Sequence, residues 1–268
     1  MSAALFELVL IPLRSLRRTS AAWGIVLALF IGATVAFWPA FQGSSALSQA
    51  LDQLPNGLVE ALGMQDIGTP AGFLRGNLYD FLIPLLLVGA AVAMASGQTA
   101  GEEDAGRLEI YLAQPVSRVR LWVARVAALA VALAVVVIVI LVAQLGFDAV
   151  VGLQLPPSHL AATLLLCALL AFLHAGLAFA IAGWFPRPSW TLGAAVAAGV
   201  AGYLVVALFP LNATLAPWRH VSPWDWAFGG DPLVHAAAAW RYMALLLPAV
   251  ALAAVGGLGF ARRDVRAG

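Results

Sequence analysis

The chain reads as an all-α, polytopic membrane protein with six transmembrane helices. Of its 268 residues 63% are hydrophobic and only 10% charged, and the mean hydropathy is +0.95. Apolar runs recur at the length of about 20 residues that crosses a hydrocarbon core. Lipid offers no partner to an open backbone group, so each span must be a helix or part of a closed barrel. The Ala, Leu and Val runs lack the polar alternation of barrel strands.

The runs fall at about 21–40, 77–98, 121–145, 159–183, 190–210 and 239–260. The chain contains no lysine, so every cation is an arginine and the positive-inside rule is simple to apply. With both termini in the cytoplasm, Arg14, Arg17, Arg18, Arg107, Arg118, Arg120, Arg125, Arg187, Arg262, Arg263 and Arg266 lie inside, and only Arg75, Arg219 and Arg241 lie outside. Five further spans and no small-residue cleavage site mark the first run as an uncleaved helix.

Residues 1–20 mix Phe6, Leu8, Leu10 and Leu13 with Arg14, Arg17 and Arg18, the pattern of an amphipathic segment along the inner headgroups that Pro12 kinks or breaks. Two longer connections, about 41–76 and 211–238, lie outside; Trp218, Trp224, Trp226 and Trp240 suit an interfacial aromatic belt. No repeat period appears.

The inner connection 99–120, "TAGEEDAGRLEIYLAQPVSRVR", concentrates charge in a chain that has little of it. Thr99 and Glu102 form a T-x-x-E capping box, Glu103 and Arg107 stand at i,i+4, and Leu108, Tyr111 and Leu112 share one helical face. Pro115 ends that helix and Ser117 caps the next. A short amphipathic helix under the membrane has two uses. Its apolar face docks a partner, or the stretch is a solvated charge run that only fixes topology.

These residues carry a resemblance. "GEEDAGRLEIYLAQPVSRVRLW" resembles the inner loop of ABC-2-type permeases, with an E-E-x-x-G-x-L-E-x-L-L-x-x-P-x-S-R-like run matched by Glu102, Glu103, Gly106, Leu108, Glu109, Leu112, Pro115, Ser117 and Arg118. Tyr111 stands where an aliphatic residue is common. The amphipathic start, the six spans, "LPNGLVEALG" and "SPWDW" resemble the same ABC-2 (ABCG-like) layout, so that 1–268 is one transmembrane domain. The resemblance implies that Glu102, Glu103, Asp104, Arg107, Leu108, Glu109, Tyr111 and Leu112 form a coupling helix seated on an ABC ATPase subunit. It also implies two ATPase copies, a second permease chain as homodimer or heterodimer, export across the plasma membrane, and ATP with Mg2+ on the ATPase.

The chain itself is expected to catalyse nothing and to hold no cofactor or metal. A Walker A loop needs a lysine, and H-E-x-x-H and G-x-S-x-G are absent. No nucleic-acid partner is expected. Cys167 is single, and His159, His174, His220 and His235 are scattered. His174 and Asp80 are the intramembrane polar candidates. The first reads as substrate contact or as a neutral imidazole bonded to a neighbouring helix, the second as an ion pair with Arg75 or Arg241. Gly193, Gly199, Gly202, Gly256, Gly257 and Gly259 read as packing surface. The rival to a permease is an ATP-independent secondary carrier or channel, which lacks the string of buried acids a proton relay uses; an intramembrane enzyme lacks a nucleophile and base.

The topology is testable in a Cys167→Ser background. Gly43→Cys, Gly152→Cys and Gly229→Cys should react with an impermeant thiol reagent on intact cells, and Gly101→Cys and Ser189→Cys should not. Labelling at position 101 would put the acidic connection outside.

Overall fold

The computed structural model describes residues 3–42, 66, 68–108 and 116–263, and among them every regular element is helical. In chain order these are α1 (Ala3–Val35), α2 (Trp38–Phe41), α3 (Pro70–Leu74), α4 (Leu82–Gln98), α5 (Ala100–Asp104), α6 (Arg118–Val151), α7 (Pro157–Trp184), α8 (Pro188–Leu208), α9 (Pro223–Phe228) and α10 (Ala239–Arg262). Six stretches are long and apolar enough to cross a membrane: Val9–Phe41, Pro70–Asp104, Arg118–Val151, Pro157–Trp184, Pro188–Leu211 and Ala239–Arg262. The chain is a multi-pass, all-helical membrane protein. The outer "LPNGLVEALG" lies outside the described residues.

Helix α7 is the centre of the bundle. It buries residues on nearly every turn from Leu160 to Gly183 and packs most extensively on α10, then on α4, with α6, α8 and α9 also against it. Helix α1 lies along α6. By contrast α8 buries only Thr191, Ala195 and Gly199. Ile25, Leu29, Ile138, Val142, Leu204 and Leu247 face outward, an apolar surface that suits lipid and would be costly in water.

The contact of α7 with α10 is set by glycine. A Cβ on Gly183 would lie 2.0 Å from the carbonyl oxygen of Gly256, one on Gly256 would lie 2.3 Å from that of Phe179, and one on Gly176 2.6 Å from that of Ala249. These three positions bring the two backbones into direct contact, which a side chain would prevent. The packing role read for Gly256 is therefore a helix crossing. Gly193, read the same way, has nothing within 4 Å. Tryptophans seal the crossing: Trp122 Nε1 donates to the Ala253 carbonyl at 2.9 Å and Trp184 Nε1 to the Val255 carbonyl at 3.1 Å.

Three local expectations change. Pro12 neither ends nor divides α1, so the amphipathic start and the first span are one helix of 33 residues. At about 1.5 Å per residue it is longer than a bilayer core. Its basic turn leaves Arg14, Arg17 and Arg18 exposed while Val9 joins Ala124 and Ala128 on α6. The second span is broken at Asp80 and Phe81, after a π-helical turn at Arg75–Tyr79. Pro84 has no N–H to return to the Asp80 carbonyl and is tolerated only in the first turn of α4. Of the four tryptophans of the outer belt, Trp218 and Trp240 are exposed but Trp224 is buried, its indole donating to the Gly199 carbonyl at 2.9 Å. Ser222 caps α9, accepting from Trp224 N at 3.2 Å, and its hydroxyl donates to the Gly202 carbonyl at 2.7 Å, so the connection between α8 and α10 turns back onto α8.

The glycine crossing yields a graded test. Gly183→Ala, which must push the α10 backbone away, should cost about 1–3 kcal/mol, read as a lower unfolding midpoint in detergent. Gly193→Ala, facing open space, should change it by less than about 1 kcal/mol.

Candidate functional site: the acidic inner connection

Helix α4 ends at Gln98 because Thr99 leaves helical geometry, with φ −119 and ψ −95. Its hydroxyl donates back to the Ala95 carbonyl at 2.6 Å and its carbonyl accepts from Glu102 N and Glu103 N at 3.1 Å each, starting α5. The T-x-x-E box does not form: Thr99 N–H is engaged by the Ser96 carbonyl at 3.2 Å and the Glu102 carboxylate turns elsewhere. Helix α5 closes in a Schellman turn. Gly106, at φ +68, supplies the left-handed residue; its N–H reaches the Glu103 carbonyl at 3.0 Å and Arg107 N–H reaches the Glu102 carbonyl at 2.9 Å.

The first two acids of α5 point inward, to different helices. Glu102 Oε2 pairs with Nη2 of Arg125 on α6, both side chains largely out of water. Glu103 takes Arg263, the residue after α10, in a two-pronged pair: Nη1 donates to Oε1 at 2.6 Å and Nη2 to Oε2. Arg263 also donates from Nε to the Gly183 carbonyl at 2.9 Å, and its own carbonyl accepts from Arg118 Nη1 at 2.6 Å. The fork of guanidinium on carboxylate fixes direction as well as charge.

Three expectations are corrected here. Glu102 and Glu103 are not exposed loop acids, because Arg125 and Arg263 already hold them. The Glu103–Arg107 pair does not form; Arg107 is exposed beyond the end of α5. Leu108 does not contribute an outward apolar face: the chain reverses at Gly106 and carries it into the bundle core, where it is 1% exposed. Asp104 and Arg107 face outward. Glu109, Tyr111, Leu112 and Pro115 lie outside the described residues. Ser117 caps α6 as its position implied, accepting from Arg120 N at 3.3 Å. Arg125 was legible as an arginine inside an apolar run, a signal in itself; Arg263 carried none beyond its place after the last span.

The two intramembrane candidates lie apart. Asp80 sits by Arg75, whose Nε is 3.8 Å from Asp80 Oδ2 while Nη1 pairs with Asp231 Oδ2 at 2.7 Å. Arg241 goes instead to the Asp225 and Trp226 carbonyls, at 2.9 Å each. Arg75, Asp80, Asp231 and Thr163 line one small cavity. His174 lies 11 residues beyond Thr163 on α7, about 16 Å by helical rise. Its Nδ1 bonds the Leu170 carbonyl of its own helix at 2.8 Å, and its ring faces Gly199 of α8. A further buried chain joins Tyr79 to α6: Tyr79 Oη donates to Gln144 Oε1 at 3.1 Å and Gln144 Nε2 to Asp148 Oδ1 at 3.1 Å, and only the i,i+4 spacing of Gln144 and Asp148 is a local signal for it.

Because Glu102 belongs to a buried pair, Glu102→Ala should cost about 3–5 kcal/mol, read as loss of monodisperse protein and a lower unfolding midpoint. Asp104→Ala, one residue on but exposed, should stay within about 0.5 kcal/mol.

None of the curated proteins matches the chain at significant similarity. Residues 8–216 match the family described as ABC-2 family transporter protein. That stretch takes in the membrane helices from α1 to α8 and the whole acidic connection, and ends before α9 and α10. Six apolar spans and a folded acidic turn between the second and third accord with it. The chain belongs to the ABC-2 family of transporter proteins, the membrane permeases of ABC transporters.

Proposed function

We propose that this chain is the permease subunit of an ABC exporter in the plasma membrane, with both termini in the cytoplasm. Two such chains, identical or related, enclose the substrate path. Two separate ATPase subunits, which carry ATP and Mg2+, dock beneath the connection 99–120. The single observation that carries the reading is the family match across residues 8–216, which includes this connection. The arginine distribution supports its orientation, since the cations of 107–125 all fall on the same side as those of the amino-terminal turn.

In this reading the outward residues Asp104 and Arg107, followed by Glu109, Tyr111 and Leu112, meet the ATPase. ATP favours the closed ATPase pair. Only that difference in affinity between states can drive the switch from inward to outward access. The permease contributes no covalent step. Its work is to hold two bundle arrangements and to transmit force between the inner connection and the spans.

The experiment is reconstitution of the chain with a Walker-bearing partner in sealed vesicles. The chain alone should neither bind nor turn over ATP, should copurify with the partner, and should move substrate only when ATP is supplied on the side of the acidic connection. Transport by the chain alone, driven by an ion gradient and indifferent to ATP, would establish the secondary carrier instead.

A further inference from the structure

The two acids at the head of the connection occupy a position that the exporter reading does not account for. A residue that meets a partner should present its carboxylate outward. Glu102 and Glu103 turn theirs into the chain, and they are consecutive, so on α5 they diverge by about 100° and reach two different helices. Arg125 stands on α6, and Arg263 closes α10. Arg263 also bonds Gly183 at the inner end of α7, and its backbone receives Arg118 at the start of α6.

The inner ends of α6, α7 and α10 are thus tied at one node, and α5 is the fourth member. Two contacts away from the ion pairs stiffen the same place. Trp122 of α6 bonds the Ala253 carbonyl of α10, and Gly183 of α7 touches the backbone of Gly256. A partner that took Glu102 would have to strip the buried Arg125 of its carboxylate, and one that took Glu103 would have to break the two-pronged pair with the part-buried Arg263.

We infer that Glu102 and Glu103 are positioning residues for coupling: paired with Arg125 and Arg263, they clamp the inner connection to α6 and α10. A displacement applied at the exposed Asp104–Arg107 turn is then delivered to the helices of the bundle. The role of the clamp in transport rests on the exporter reading above; the clamp itself does not. The acids are the rigid root of the connection, and the partner contact begins at Asp104.

The test uses the full chain, first alone and then with its ATPase. Arg263→Gln lies 160 residues from Glu103 in sequence and outside the connection. In the purified permease alone it should raise amide hydrogen exchange across 97–108 by about tenfold or more, as should Glu103→Gln. The reversed pair Glu103→Arg with Arg263→Glu should recover at least part of the protection. Unchanged exchange in Arg263→Gln overturns the clamp, whatever the partner does. Arg263→Lys, which keeps the charge but not the fork, takes its place if the Gln variant does not insert.

In the complex, Arg263→Gln and Glu103→Gln should copurify the ATPase in normal amount and hydrolyse ATP, while transport per ATP falls several-fold, and the reversed pair should restore it in part. Loss of the ATPase from Glu103→Gln with normal behaviour of Arg263→Gln would make Glu103 a partner contact and overturn the inference. Failure of the unaltered chain to recruit any ATPase would overturn the exporter reading and leave the exchange result standing.

Discussion

The close approach of α7 and α10 is the constraint on which the rest of the bundle depends. Between lipid-solvated helices there is no hydrophobic gain from association, because lipid tails are as apolar as leucine, so contact distance and directed hydrogen bonds must hold the helices together. Gly176, Gly183 and Gly256 supply the first by letting the backbones touch. Trp122 and Trp184 supply the second by donating to the Ala253 and Val255 carbonyls. With α7 seated on α10, the remaining faces of α7 are open to α4, α6 and α8. Helix α8, on the rim, keeps most of its surface outward.

Polar chemistry gathers where this arrangement brings chain ends together. At one end, Arg125 pairs with Glu102 and Arg263 with Glu103, while Arg118 donates to the Arg263 carbonyl. At the opposite end, Arg75 gathers Asp80 and Asp231 while Trp224 draws the last connection onto α8. Ion pairs of this kind contribute less to net stability than to a single arrangement, since their desolvation offsets much of their attraction, yet removal of one member is costly. The two ends are therefore defined by these pairs, and between them α7 and α10 are held by the glycine contacts and the tryptophan bonds.

The acidic connection shows how far local pattern reaches. The T-x-x-E spacing at Thr99 and the Glu103–Arg107 spacing are both valid helical signals, and neither interaction forms. Glu102 is taken instead by the buried Arg125 and Glu103 by the two-pronged fork of Arg263, and against these a neutral backbone N–H and an exposed Arg107 compete poorly. Leu108 fails as an outward apolar residue for a related reason: the left-handed turn at Gly106 reverses the chain, and the apolar side chain follows the reversal into the core.

The membrane class, the six spans, the asymmetric placement of the arginines and the Ser117 cap are all legible along the chain. All of these depend on composition or on neighbours within one helical turn or one bilayer thickness. The sequence also carried the family, because the run from Glu102 to Arg118 is contiguous. Tertiary structure alone decided which arginine each acid would find, since Arg125 lies 23 residues from Glu102 and Arg263 lies 160 from Glu103. It likewise buried Trp224 and separated Gly183 and Gly256, which touch backbone, from Gly193, which faces open space. The reason is physical: hydropathy and capping are summed over adjacent residues, whereas ion-pair choice and backbone contact depend on how helices cross, and no local pattern encodes a crossing.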